Sequence, residues 1–188
     1  MTPTATILDA VAFAARRHRR QRRKGEPSEP FIDHPIAVAH LLSRHGIDDH
    51  VVLCAALLHD TVEDTRTTLE ELRERFGEVI AQVVAEVTDD HQLAKAEQKE
   101  QQVVRAPHLS REAQLVKLAD KIHNVSDMEH HPPMWPAARR RAYIAWSRRV
   151  VAGLRGVHAE LEAAFDAAAA SAQLALADEA DDGDEYLY

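Results

Sequence analysis

The chain has 188 residues, 45% of them hydrophobic and 5% aromatic, with only six glycines and eight prolines. This is enough for one globular domain with a proper core, and it excludes a fibrous repeat or a wholly disordered chain. No apolar run approaches the roughly eighteen residues of a membrane span, and the single Cys54 excludes a disulfide framework, which makes the cytoplasm the expected compartment.

The net charge of −8 is unevenly spread: six acids and no base lie in residues 178–188, and the rest of the chain is only −2. The domain is therefore expected over 1–177, with 178–188 an acidic, disordered tail. At the other end, residues 16–24 hold seven cations in nine positions, a density that attracts phosphates. The acidic balance elsewhere argues against a nucleic-acid duplex as the partner.

In chain order, Ile7, Val11, Ala14 or Ala15, and His18 give a first amphipathic helix over residues 6–20. Its arginine-rich start is also that of a transit peptide, although the arginines run straight into a motif considered below. Residues 25–30 form a loop. Asp33 with Pro35 opens a second helix, Pro being tolerated in the first turn, and Gly46 stops it.

The next stretch organises the chain. Val51, Ala55, Leu58 and Val62 recur at helical spacing behind Asp48 as N-cap, predicting one mostly buried helix over 48–64. That helix ends in His59, Asp60, Glu63 and Asp64. On a continuous helix His59 lies above Glu63 and Asp60 above Asp64. Carboxylates buried beside Leu57 and Leu58 are costly unless paired or bound to metal. A helix C-terminus exposed to solvent is the plainer alternative, and the His-Asp dipeptide alone does not decide between them.

Thr67-Thr68-Leu69-Glu70 reads as a capping box for a short helix ending at Gly77, and Val79 to Val87 make another closed by Thr88-Asp89-Asp90. Residues 91–105 are polar and helical, with Lys95 and Lys99 on one face. After a break at 106–109, Ser110 caps a helix with Leu115, Leu118, Ala119, Ile122 and Val125 as its core stripe; Asp120, His123, Asn124 and Asp127 lie beside it. Pro132, Pro133 and Pro136 interrupt, and a final apolar stripe from Tyr143 to Phe165 bends at Gly153 and Gly156. No alternation of period two persists, so the fold is expected to be all-α.

Three motifs then stand in order: Pro30-Phe31-Ile32-Asp33-His34-Pro35, Leu57-Leu58-His59-Asp60-Thr61-Val62-Glu63-Asp64, and Leu115 to Asn124. Together they resemble the signature of HD-domain hydrolases. Gln21-Arg22-Arg23-Lys24 matches the upstream basic motif of the (p)ppGpp hydrolase domain of the RelA/SpoT superfamily. The resemblance covers roughly residues 6–175 and leaves no room for synthetase or regulatory domains, so the chain is similar to the stand-alone small alarmone hydrolases, the metazoan SpoT homologue included.

The resemblance implies a single HD-domain helical bundle with its metal site between helices. It implies Mn²⁺ held by His34, His59, Asp60 and Asp120, with Glu63, or Glu63 and Asp64 as a pair, orienting a water and taking its proton. It implies substrate contacts from Arg23 (against a base), Lys24, Lys95, Asn124, Tyr143 and one or both of Arg139 and Arg140. The implied reaction is hydrolysis of the 3′-pyrophosphate of ppGpp or pppGpp. Removal of the 2′-phosphate of NADPH in the same pocket, and a catalytically idle nucleotide-binding module, are the alternatives. The Pro-rich segment around His130-His131-Pro132-Pro133 departs from the family pattern beside the substrate positions.

Overall fold

In the computed structural model, residues 2–23, 29–177 and 179 are described. Lys24 and, apart from Ala177 and Glu179, the junction and tail around 178–188 lie outside them. Ten α-helices account for most of the described residues, and an isolated antiparallel bridge joins Arg22 to Pro30.

The helices begin and end where local chemistry dictates. Thr2 caps α1 (Pro3–His18) by accepting from Ala5 N, with Pro3 in the first turn; the helix thus starts earlier and ends earlier than the 6–20 span. Helix α2 (Asp33–Arg44) opens with Asp33 in its first turn and gives way to Gly46 at φ +76°. Helix α5 (Leu69–Phe76) is capped by Thr68, one residue later than the capping-box reading. The box does not close, because the Glu71 carboxylate that would reach back pairs instead with Arg17 of α1. Gly77, at φ +90°, turns the chain directly into α6 (Glu78–Val87).

The expected continuous helix over 48–64 is two helices. Asp49, not Asp48, caps α3 (His50–Leu58), and α4 (Thr61–Asp64) follows a break at His59–Asp60. The break has a side-chain cause: the Thr61 hydroxyl donates to Leu58 O at 2.6 Å and the His59 ring bonds Ala56 O at 2.8 Å. Both take carbonyls that a continuing helix would use.

Helix α3 is apolar on all sides, with Val52, Cys54, Ala55, Ala56, Leu57 and Leu58 buried. Such a helix belongs in the centre, and α3 does pack against α1, α2, α6 and α8. Helix α8 (Arg111–His130), capped by Ser110, is the second pillar and meets α2, α3, α6, α9 and α10. Helix α7 (Lys95–Arg105) and a 3₁₀ turn at Ala106–His108 lead into it. Helices α9 (Ala137–Ala152) and α10 (Ala159–Ala175) are separated by the expected glycine turn. There, a Cβ on Gly153 would lie 2.8 Å from Pro107 Cδ and 3.2 Å from its backbone nitrogen, so the turn rests on the 3₁₀ segment through a bare backbone.

Candidate active site

The N-terminus of α2, the α3–α4 break and the middle of α8 converge on one point. His34 comes from the first, His59 and Asp60 from the second, Asp120 from the third. His34 Nε2 lies 3.2 Å from Asp120 Oδ1 and 3.5 Å from Asp60 Oδ2; His59 Nε2 lies 3.1 Å from Asp60 Oδ2 and 3.7 Å from Asp120 Oδ1. Ligand atoms of His34, His59 and Asp120 all fall within 4.8 Å of one another. The break matters here. On a regular helix, neighbouring side chains diverge by about 100°, whereas the turned Asp60 backbone (φ −91°, ψ −5°) brings its carboxylate beside the His59 ring.

The donor set suits a divalent cation. His59 gives Nδ1 to the Ala56 carbonyl, leaving Nε2 beside the carboxylates, where that buried nitrogen makes no well-aligned hydrogen bond. Burial pulls the His34 pKa down. Burial also opposes charge on His59, yet Asp60 and Asp120 outweigh it and raise the pKa well above that of free imidazole. Burial likewise opposes charge on Asp120, but Lys121 and the two rings hold the carboxyl well below the usual range. The cluster therefore favours positive charge between rings and carboxylates, and two imidazole nitrogens with two carboxylates are ligands of the kind Mn²⁺, Fe²⁺ or Zn²⁺ accepts.

A cavity of about 350 Å³ opens over this cluster. Glu63, on α4, lines it half-buried; burial first, then the Asp89 and Asp60 carboxylates, raise its pKa. Asp64 also lines it but is exposed, its Oδ2 accepting from Gln21 Nε2 at 2.7 Å, while Gln21 Oε1 meets His18 Nδ1 at 2.8 Å. The two acids thus sit in different settings.

Of the expected substrate positions, Arg23, Asn124 and Tyr143 line the cavity. Arg23 is set by the short pairing of residues 21–23 with 29–31, with Phe31 N donating to Gln21 O at 3.1 Å. Its guanidinium pairs with Asp127, reaches Asn124 Oδ1 at 3.0 Å and lies 5.9 Å from the Phe31 ring centre. Tyr143 packs edge-on against Trp146, with ring centres 5.2 Å apart, and tilts toward Trp135 at 6.0 Å. Arg139 is not a lining residue; it lies 4.3 Å from the ring centre of Trp135, which is.

Lys95 and Arg140 stand away from this cavity. Lys95 is exposed at the start of α7, its Nζ 3.1 Å from Gln98 Oε1, because Gln98 turns inward to cap the preceding loop and keeps the lysine with it. Arg140 is drawn to Glu179 beyond the end of α10. Neither lines the cavity.

Sequence reasoning missed Lys117, Lys121 and Asp89, all of which line it. Lys117 is buried with Nζ donating to Val87 O at 2.9 Å, and its pKa falls through burial and then the nearby Lys121. Lys121 Nζ lies 3.2 Å from Asp120 Oδ2 and 4.3 Å from the Trp146 ring centre. Burial opposes its charge, but the Asp120 carboxylate prevails and lifts the pKa to about 12. Lys117 stands three residues before Asp120 and four before Lys121, so the two lysines share one helical face, but spacing alone does not show that this face is buried.

Comparison with known proteins follows the same outline. The model of the HD domain matches residues 10–156. The guanosine-3′,5′-bis(diphosphate) 3′-pyrophosphohydrolase MESH1 of Danio rerio is 52% identical over 161 residues, 85% of this chain and 89% of that protein. The human protein of the same name is 51% identical over 163 residues, 86% and 91% respectively. A solved structure described as a metazoan ortholog of SpoT that hydrolyses ppGpp superposes with a TM-score of 0.86 at 41% identity, covering 89% of this chain and 96% of that one.

Proposed function

The chain belongs to the HD-domain family, and from that membership we propose that it is a Mn²⁺-dependent hydrolase releasing pyrophosphate from the 3′ position of ppGpp or pppGpp, leaving GDP or GTP. The observation that carries this is the convergence of His34, His59, Asp60 and Asp120 beneath a cavity that also presents Glu63, Arg23 and two buried lysines. The relatives named for this reaction are matched over most of their length.

His34, His59, Asp60 and Asp120 would hold the ion. Mn²⁺ there would lower the pKa of a water and neutralise a phosphoryl oxygen. The remaining work falls to the protein. Water adds to the phosphorus next to the ribose, the bond from that phosphorus to O3′ breaks, the ribose regains a hydroxyl, and pyrophosphate departs. Glu63 accepts the proton of the attacking water; its raised pKa makes it a better base than an exposed carboxylate. Asp64, held by Gln21, orients the same water from the cavity edge. Lys117 and Lys121 place positive charge on the cavity wall for the pyrophosphate. Arg23 offers a flat cation for a purine to stack on. Among the described residues no helix is long and apolar enough to cross a membrane, and the free, buried Cys54 suits a cytoplasmic enzyme.

Product analysis of Mn²⁺-loaded protein given ppGpp and NADPH separately tests the reading. Pyrophosphate with GDP from the first supports it. Orthophosphate from NADPH with ppGpp untouched would replace it.

A further inference from the structure

The two imidazoles of the proposed metal centre are held in different ways. His59 gives its Nδ1 to a main-chain carbonyl, which can only accept. His34 instead sets its Nδ1 3.1 Å from Nδ1 of His123, a half-buried side chain on α8 one turn beyond Asp120, with ring centres 4.9 Å apart at 61°. Two ring nitrogens at that distance hold one proton between them: with none the lone pairs repel, with two the hydrogens collide.

Nε2 of His34 faces Asp120 Oδ1 at 3.2 Å and Asp60 Oδ2 at 3.5 Å, and it must be bare to bind an ion. The shared proton then sits on His34 Nδ1, and His123 accepts it. Asp127 Oδ2 is 3.8 Å from His123 Nδ1, beyond hydrogen-bond reach, and is engaged by Arg23. His123 Nδ1 is therefore free to accept from His34.

We propose that His123 is a positioning residue for the metal centre: its Nδ1 accepts the Nδ1–H of His34, which fixes the tautomer and ring angle that present Nε2 of His34 to the ion. This rests on the reading of His34 as a metal ligand. Partners of this kind, behind a ligating imidazole, typically change metal affinity by about 10–100-fold when removed.

The test is Mn²⁺ affinity of metal-stripped protein, read from the free-ion spin-resonance signal. The native chain is compared with His123→Leu, which cannot accept, and His123→Asn, whose amide oxygen reaches nearly the same place. The expected result is a loss of about 10–100-fold for His123→Leu and recovery of most of it in His123→Asn, with equal melting temperatures for the stripped proteins. Native affinity in His123→Leu would overturn the proposal while leaving the metal reading intact. So would a His123→Asn variant as weak as His123→Leu. Failure of the native chain to bind Mn²⁺ at all would overturn both. Should His123→Leu not fold, ¹⁵N spectra of the native chain loaded with diamagnetic Zn²⁺ decide: a bare Nδ1 on His123 supports the assignment, a protonated one overturns it.

Discussion

Arg23 reaches Asn124 Oδ1 across 3.0 Å, and the same Asn124 donates from Nδ2 to Asp120 Oδ1 at 2.6 Å. A residue of the purine platform is thereby two hydrogen bonds from a proposed metal ligand. The order of these contacts separates their roles. Arg23→Ala removes the flat cation yet leaves Asn124 bonded to Asp120. We expect Arg23→Ala to raise KM for the nucleotide while metal content stays near that of the native protein. Parallel loss of metal and activity would make Arg23 structural. Tyr143→Phe, which keeps the packing against Trp146, is expected to behave in the same way if its hydroxyl meets a phosphate.

Ligand chemistry sets the second expectation. Mg²⁺ prefers oxygen and keeps its waters, whereas two imidazoles favour a softer ion. Chelation should abolish hydrolysis, and Mn²⁺ should restore it better than Mg²⁺. Full activity of the stripped protein would remove the metal from the mechanism.

Much of this architecture was legible in the sequence because it is written locally. Ser110, Gly77 and the Asp33–Pro35 start act on their own turns, so the ends of α8, α5 and α2 follow from neighbours in sequence. The break at His59–Asp60 was not legible. It depends on the Thr61 hydroxyl and the His59 ring competing for helix carbonyls, and Thr61 in isolation fits a continuing helix equally well. The four metal candidates came together only through resemblance to a family, since no spacing rule links α2 to α8. Lys95 and Lys117 show the same limit from opposite sides. Helical periodicity gives Lys95 a face but not the neighbour that face meets, and it hides Lys117 inside an apolar stripe whose inward polar contacts are tertiary.

The turn between α9 and α10 supplies a stability prediction independent of the chemistry. A Cβ at Gly153 would stand 2.8 Å from Pro107 Cδ and 3.0 Å from Ala106 Cβ, with the rigid Pro107 backbone behind them. Overpacking of this kind typically costs about 1–3 kcal/mol. Gly153→Ala should lower the melting temperature while leaving Mn²⁺ affinity unchanged, because Gly153 lies outside the cavity. An unchanged melting temperature would show that the 3₁₀ segment yields.

The last prediction separates holding the ion from activating water. His59→Ala deletes a ring whose buried Nε2 stands 3.1 Å from Asp60 Oδ2 without a well-aligned hydrogen bond. Metal content and turnover should both fall. The melting temperature in the presence of Mn²⁺ should fall too, since an ion bound only to the native state stabilises it by mass action. Glu63 sits on the far side of the break, on α4, near Asp89 rather than among the imidazoles: its Oε2 is 3.4 Å from Asp89 N. Glu63→Ala should therefore keep its metal and nearly its melting temperature. Its turnover should drop by about 10²–10⁴-fold, the usual contribution of a positioned general base. Elemental analysis beside turnover for both variants decides the matter. A metal-free Glu63→Ala would make Glu63 a ligand. A loaded and fully active one would move the base to Asp64, whose carboxylate Gln21 already holds at the cavity edge.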